Sequence, residues 1–364
     1  MASRSNNLID QTRPVRRGEE IDSDRLWKYL NDNLPDLSQP LTIEQFPSGF
    51  SNLTYLIRAG DRQFVLRRPP VGAKIKSAHD MNREFTILSG LHSIYPKVPR
   101  PLVFCQDESV IGAPFYLMER VEGVILRAQP PKDLLLTPAL MASLSDMFVT
   151  TFVEIHSLDY KRAGLENLGS PDGYVKRQVE GWIGRYQKSQ TDEVREIKRL
   201  SSWLIDNQPA DTRPPSLIHN DYKYDNIVLD PEDLSRVLAV LDWEMATVGD
   251  SLMDFGTSLG YWVDADDSVE WQTYAFGITM LPGSFNRTEL VQRYAEMSGR
   301  DLSNVVFYYA FGLLKIAVIV QQIYYRYRQG LTTDDRFSQL DRLVKACGKL
   351  AGRAIEKRRI DRLE

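Results

Sequence analysis

The sequence predicts an α+β fold in two lobes, a small antiparallel-sheet half followed by a larger, mainly helical half. Three observations lead there. Between residues 41 and 68, short alternating runs (Leu41-Thr42-Ile43-Glu44, Thr54-Tyr55-Leu56-Ile57-Arg58 and Gln63-Phe64-Val65-Leu66-Arg67) are broken at Pro47-Ser48-Gly49 and at Ala59-Gly60-Asp61, the second a good hairpin turn. Beyond Gly123, apolar residues recur mostly at helical spacing. A chain of 364 residues, 43% hydrophobic and 26% charged, is also long enough for a large core and about two domains.

Taken in order, residues 1–40 read as an extension carrying a helix, residues 41–121 as the sheet lobe and residues 122–364 as the helical lobe. Met81, Phe85, Leu88 and Leu91 repeat at helical spacing, so residues 77–92 form an amphipathic helix after the third strand. Phe115-Tyr116-Leu117-Met118 is a further strand, leading into Glu119-Arg120-Val121-Glu122-Gly123. Helices are expected over 138–156, 173–187, 191–207 and 288–298, with Pro-rich punctuation at 209–215. Residues 305–323 are apolar enough to suggest a membrane span, but Lys315, Gln321 and Gln322 interrupt them and the unbroken run is too short. We read a buried core helix, ending in the aromatic-basic stretch Tyr324-Tyr325-Arg326-Tyr327-Arg328.

Charge and cysteine usage narrow the function classes. Forty-five Lys and Arg against 49 Asp and Glu give a formal charge of −4, so no overall positive field gathers nucleic acid or coats an anionic membrane. Cys105 and Cys347 are far apart and outside any Cys-x-x-Cys spacing, and His79, His92, His156 and His219 share no metal-ligand spacing. Residues 1–20 carry Arg13, Arg16 and Arg17 without an apolar core, unlike a secretory signal. A cytoplasmic protein is expected.

The most informative stretch is His219-Asn220-Asp221-Tyr222-Lys223-Tyr224-Asp225-Asn226, bracketed by apolar runs and followed by Val237-Leu238-Ala239-Val240-Leu241-Asp242-Trp243-Glu244. An anchored loop rich in ionic side chains is where catalytic groups tend to be placed. A second apolar strand ends at Asp242, so oxygens from two strand ends are available to a hard cation such as Mg²⁺.

The pattern His-x-Asp-x-Lys-x-x-Asn with an Asp on the next hairpin resembles phosphoryl-transfer enzymes of the protein-kinase type. More narrowly, the chain resembles the aminoglycoside-phosphotransferase-like or choline-kinase-like small-molecule kinases, and within them the kinase domains associated with acyl-CoA dehydrogenases. The resemblance implies a protein-kinase-like two-lobed fold. It implies ATP and Mg²⁺ as cofactors, Asp221 as acceptor of the substrate hydroxyl's proton, Asn226 and Asp242 as metal ligands, Lys223 as a neutraliser of phosphoryl charge and His219 as a brace for the loop. Asn220 stands where the family usually has glycine, and Ser251 replaces the proline of the family's Gly-Asp-Pro-x-x-Asp. In the resulting Gly249-Asp250-Ser251-Leu252-Met253-Asp254, Asp250 and Asp254 are expected to cap a helix and brace the catalytic loop.

The nucleotide-handling parts fall in the first half. Gly49, Ser51 and Asn52, in Phe46-Pro47-Ser48-Gly49-Phe50-Ser51-Asn52-Leu53-Thr54-Tyr55, resemble the family's phosphate-covering turn, whose backbone amides suit an anion. Arg67 ends the third strand where kinases place a nucleotide-binding lysine, and its expected partner is Glu84. Arg68 should face the opposite side of the strand. Glu119 and Val121 resemble the hinge whose backbone reads a purine edge.

Two surfaces compete for the acceptor. Asp264, Asp266, Asp267 and Glu270 form an acidic run that would suit a polycation. Lys176, Arg177, Trp182 and Arg185 lie on one helical segment that resembles a pattern of the acyl-CoA-dehydrogenase-linked kinases, and basic groups beside aromatics suit a CoA thioester. The leading expectation is a small-molecule kinase acting on the hydroxyl of a hydroxyacyl-CoA, in functional association with an acyl-CoA dehydrogenase. Aminoglycoside or amino-alcohol phosphorylation, and a nucleotide-binding pseudokinase, stay open as alternatives.

Overall fold

A computed structural model describes residues 8–47, 52–70, 80–131, 134–332 and 334–363. The chain runs α1 (Ser23–Asn33), β1 (Leu41–Gln45), β2 (Leu53–Ala59), β3 (Arg62–Arg68), α2 (Met81–His92), β4 (Pro101–Cys105), α3 (Glu108–Ile111) and β5 (Phe115–Glu119). It continues through α4 (Pro138–His156), α5 (Tyr174–Ser189), α6 (Arg195–Asp206), β6 (Ser216–Ile218), β7 (Ile227–Leu229), β8 (Val237–Val240), β9 (Thr247–Gly249), α7 (Ser251–Tyr261), α8 (Val269–Gln272), α9 (Arg287–Ser298), α10 (Val305–Arg328) and α11 (Leu340–Lys357). These elements gather into two compact units. One comprises Met1–Ile125, Lys161–Leu165 and Ile227–Ala246; the other comprises Leu126–Tyr160, Glu166–Asn226 and Thr247–Glu364. By packing, the β7–β8 hairpin therefore belongs with the sheet although helical segments precede it in sequence.

The first unit is built on a five-stranded antiparallel sheet of order β1-β2-β3-β5-β4. Alternation along β2 and β3 decides its inner face: Tyr55, Ile57, Phe64 and Leu66 join Phe115, Leu117 and the α1 residues Leu26 and Leu30 in one buried cluster. Asp22 starts α1 by accepting from the backbone N–H groups of Asp24 and Arg25. The β1 edge is covered by a bridge to Arg13, which leaves fewer unpaired backbone groups for another chain to pair with. On β3 the alternation separates two arginines, Arg67 toward Glu84 and Arg68 toward the carbonyl of Ile111. After β5 the backbone pairs with the hairpin through Val124 and Leu229. Gly123 is required there, since a Cβ would lie 2.4 Å from the Leu229 carbonyl oxygen.

The second unit is helical, with two small strands, β6 and β9, pairing antiparallel. Its centre is α10, which is buried along most of its length from Phe307 to Tyr324. Both α4 and α10 are long and apolar enough to cross a membrane by length and composition, yet half of the apolar window of α4 and 78% of that of α10 are buried inside the protein. The expected core helix at 305–323 is thus present and continues to Arg328, taking in the aromatic-basic stretch. Helices α7 and α10 cross at glycines: a Cβ on Gly312 would sit 2.1 Å from the Gly256 carbonyl oxygen, and one on Gly256 would sit 2.3 Å from that of Tyr308. Cys105 and Cys347 are both free and buried.

Candidate active site

The candidate catalytic loop, residues 219–226, lies wholly in the helical unit. It leaves β6 at Ile218 and turns at Asn220, whose φ of +67° lies in the left-handed region. Glycine enters that region at little cost and asparagine is the next best choice, so Asn220 fits the place where related loops carry glycine. The loop is held from below by Asp254 on α7, whose two carboxylate oxygens accept the backbone N–H of His219 at 2.7 Å and of Asn220 at 2.8 Å. Burial pushes the Asp254 carboxyl up, but the hydrogen bond and charge of His156, with His219 and Lys315 behind it, bring it below the ordinary aspartate value. The His156 ring is within 3.2 Å of Asp254 on one side and 2.8 Å of the Tyr294 hydroxyl on the other. Burial holds the His156 pKa down despite Asp254. Asp250 caps α7 through the Leu252 N–H and also accepts from the Thr212 N–H. Capping and bracing are therefore divided between Asp250 and Asp254.

At the head of the loop, Lys223 donates to both oxygens of Asp221 at 2.9 Å, and the Asn226 amide donates to Asp221 Oδ2 at 3.0 Å and to its carbonyl at 2.8 Å. A carboxylate oxygen has two lone-pair sites. Among the described residues, Oδ2 thus has both sites taken, while Oδ1 keeps one. His219 is fully buried and its Nδ1 accepts the Asp221 backbone N–H at 3.2 Å, a bracing contact. The Lys223 ammonium also lies 5.1 Å from the centre of the Tyr261 ring. Burial would lower the Lys223 pKa, but Asp221 and its neighbours raise it, so the lysine stays charged.

Lys315, mid-way along α10, donates to the Asn220 carbonyl at 2.7 Å and lies 5.5 Å from the centre of the Trp182 ring on α5. Burial drops its pKa to about 8 against the pull of Asp254 and Asp221. Arg185 stacks on the same indole at 4.5 Å. Trp182 and Arg185 thus come together beneath the catalytic loop. Lys176 and Arg177 do not join them: Lys176 pairs with Glu180, and Arg177 turns back to the carbonyls of Asp172 and Ser170.

The sheet unit carries the other group of predicted residues. Arg67 is 8% exposed and its guanidinium bridges three carboxylates: Glu84 at 2.8 Å, Asp242 at 2.8 Å and Glu244 at 3.2 Å. The expected Arg67–Glu84 ion pair is present. Burial raises the Glu84 carboxyl to about 7 against the lowering effect of Arg67. Asn52 donates to Glu244 Oε2 at 2.6 Å. Asp242 has a φ of +67°, an unusual conformation for an aspartate, two residues after the end of strand β8. Glu119 closes β5 and pairs with Arg100, and Val121 follows it. Gly49 and Ser51 lie outside the described residues. No cluster of three or more His, Cys, Asp or Glu side chains suited to a metal ion occurs among the described residues. The Asn226 amide oxygen in the helical unit and the Asp242 carboxylate in the sheet unit are each hard donors of the kind that fits Mg²⁺, which takes one or two protein ligands and completes its shell with phosphates and water.

Two carboxylates of the acidic run are structural, while Asp266 and Glu270 are exposed. Asp264 and Asp267 are buried and both bind Arg287, which donates from its backbone to Asp264 and from its guanidinium to Asp267 at 2.7 Å. Burial raises Asp264 to about 7 even beside Arg287.

Residues 42–290 match the model of the phosphotransferase enzyme family. The chain belongs to that family. It is 37% identical over 319 residues to acyl-CoA dehydrogenase family member 11 of Rattus norvegicus, covering 85% of this chain and 40% of that protein. With acyl-CoA dehydrogenase family member 10 of Mus musculus it shares 35% identity over 346 residues, covering 94% of this chain and 32% of that protein. The chain thus spans two-fifths or less of the length of these curated relatives. Among solved structures, it superposes on a Ralstonia eutropha JMP134 protein provisionally described as an aminoglycoside phosphotransferase, with a TM-score of 0.78, 28% identity and coverage of 93% of this chain and 99% of that one. An aminoglycoside phosphotransferase in complex with GDP and kanamycin shares the fold at a TM-score of 0.60 and 16% identity, covering 88% and 97%. The phosphotransferase is accordingly a small-molecule kinase with a kinase-like α+β fold.

Three residues in contact with the candidate site escape sequence reasoning. Lys315 was visible only as a break in an apolar run, although a lone ionisable group inside a buried helix is itself a signal. Glu244 belongs to the quoted motif without a role attached, and His156 has no local motif around it.

Proposed function

We propose that this phosphotransferase transfers the terminal phosphoryl group of ATP to the hydroxyl of a hydroxyacyl-CoA. The observation that carries the transfer chemistry is Asp221, oriented by Lys223 and Asn226 with one lone-pair site left on Oδ1. In this reading the hydroxyl donates to Asp221 Oδ1, which aligns it and takes its proton as the oxygen–phosphorus bond forms. Lys223 offsets the charge gathering on the phosphoryl oxygens. Arg67, held rigidly by Glu84, orders the carboxylates Asp242 and Glu244. Asn226 and Asp242 would hold Mg²⁺, which when bound neutralises phosphate charge. The acyl-CoA part of the proposal is supported by the names of the relatives. It is also supported by the fixing of Asp264 and Asp267 on Arg287, which removes two carboxylates a polycationic acceptor would use. Functional association with an acyl-CoA dehydrogenase belongs to the same proposal.

The test is mass spectrometry after incubation with MgATP and a panel of 3- and 4-hydroxyacyl-CoAs, their free acids, aminoglycosides, choline and homoserine. A phosphorylated hydroxyacyl-CoA, lost by at least a thousandfold in Asp221→Asn while nucleotide affinity is kept, is the expected outcome. A phosphorylated aminoglycoside or amino alcohol alone would overturn the acceptor, and nucleotide binding without any transfer would overturn the enzyme reading.

A further inference from the structure

Between Phe307 and Tyr324, helix α10 carries a single charged side chain, Lys315, whose residue is 2% exposed. Taking an ammonium out of water is costly, and an apolar residue would serve a core helix better. Elsewhere the same helix holds a carbonyl with a neutral donor: the Gln321 amide donates to Ser189, the last residue of α5, at 2.8 Å. At position 315 a cation is directed instead at the Asn220 carbonyl, 2.7 Å away and one peptide bond before Asp221. Such a charge-assisted bond is roughly twice as strong as a neutral one.

The peptide unit joining Asn220 to Asp221 is planar, so its carbonyl and its N–H turn together. Lys315 holds the carbonyl, and the N–H donates to His219 Nδ1 at 3.2 Å. One step earlier, the Asn220 N–H donates to Asp254 at 2.8 Å. Three side chains therefore fix the backbone from which Asp221 projects, while Lys223 and Asn226 fix its carboxylate. The ammonium lies 5.5 Å from the centre of the Trp182 ring, so its own place is set from α5 as well as from the loop.

We propose that Lys315 is a positioning residue for phosphoryl transfer: by holding the Asn220 carbonyl, its ammonium presents Asp221 to the substrate hydroxyl in one fixed orientation. It acts through that peptide and not on the reacting atoms. The inference rests on the role proposed for Asp221, and not on which hydroxyl is the acceptor. A misplacement of about 1 Å can cost on the order of a hundredfold in rate. Helices α5, α6, α7 and α11 pack against α10. The charged groups acting most on Lys315 are Asp254 of α7, Asp221 and Lys223 of the loop and Arg185 of α5. Burial lowers its pKa to about 8 against the two carboxylates, which brings the loss of its charge within reach of experiment.

The test uses the full chain as wild type, Lys315→Met and Lys315→Arg. Turnover of MgATP is followed with 4-hydroxyacyl-CoA and, separately, with water as acceptor. Lys315→Met should lower kcat at least thirtyfold while KM for MgATP changes less than threefold, and Lys315→Arg, which keeps a charged donor, should recover at least fivefold. Between pH 7 and 9 wild-type kcat should fall at least threefold as the charged bond becomes a neutral one, and that of Lys315→Arg should not. The contact itself is read without turnover by labelling Asn carbonyls with ¹³C and Asp amides with ¹⁵N. The sequence holds two Asn–Asp steps, Asn31–Asp32 and Asn220–Asp221, and Asn31→Ala identifies the first. The Asn220 carbonyl should shift as pH passes about 8 in the wild type and in neither Lys315 variant. If hydrolysis by water responds to Lys315→Met but no hydroxyacyl-CoA is phosphorylated, the acyl-CoA reading falls and the positioning role stands. Unchanged kcat in Lys315→Met, or a wild-type Asn220 carbonyl that does not titrate, overturns the role of Lys315 and leaves the proposed function intact. Absence of transfer to any acceptor, water included, overturns both. Circular dichroism checks folding; should Lys315→Met unfold, the pH dependence of kcat in the wild type against Lys315→Arg decides.

Discussion

Asn220 is the residue at which a one-letter departure from a family pattern has a physical meaning. At φ +67° the position rewards glycine or asparagine and penalises branched side chains. Asn220→Gly should leave thermal stability nearly unchanged, whereas Asn220→Val should cost roughly 1–3 kcal/mol, read from urea titrations; equal effects would refute the backbone argument. Arg67 makes a second prediction, because its fork serves three carboxylates and a point charge cannot. Arg67→Met should destabilise the protein by roughly 3–5 kcal/mol, and Arg67→Lys should recover only part of that loss. Lys315 sets a pH dependence. Its folded pKa of about 8 lies below the ordinary lysine value, so the stability it contributes is present above the unfolded pKa and lost as pH falls through 8. Between about pH 8 and 10.5, wild-type stability should therefore rise relative to Lys315→Met, by up to about 1.4 kcal/mol per pH unit; parallel curves would exclude the assignment. The Arg67–Glu84 pair and the joint capping and bracing by Asp250 and Asp254 were legible in the sequence because they belong to recognisable patterns, whereas which aspartate does which was not. Nor was the grip of Lys315, since it crosses 95 residues and depends on which helix packs under the loop.

At the scale of elements, legibility followed periodicity. Strands β2 and β3 are short apolar runs on either side of a tight turn, and α4 begins at a Pro just after its Thr137 cap, so its bounds are readable to the residue. Strand β4 was missed: it opens on proline, has five residues and shows no buried-exposed alternation. Helix α2 begins at Met81 behind its Asp80 cap, and residues 77–79 of the expected helix lie outside the described residues. Likewise α6 starts at Arg195, not at residue 191, because Val194 is extended. The glycine crossing of α7 and α10 could not be read from either helix alone, because each glycine is justified only by the backbone opposite. Gly312→Ala should push the two helices apart and cost about 1–3 kcal/mol or more, measured by thermal unfolding with Ala310→Gly, at a buried position of the same helix, as a comparison that creates no such clash; a stability loss no larger than the comparison's would refute the close contact.

Across the whole molecule, the parts with a name in sequence are those that face chemistry, and the parts without one hold them in place. The candidate catalytic loop has only a single 3-10 turn of its own, Tyr224–Asn226, yet Asp254 on α7 holds two of its amides and Lys315 on α10 holds the carbonyl that follows them. Those two helices are locked to each other where glycine meets glycine. One consequence concerns time: solvent deuterium should reach the His219 and Asn220 amides as slowly as it reaches the middle of α10, because no local opening frees them without parting the helices. Loops ordinarily exchange within seconds to minutes, and this one should keep its protons until the helical unit unfolds.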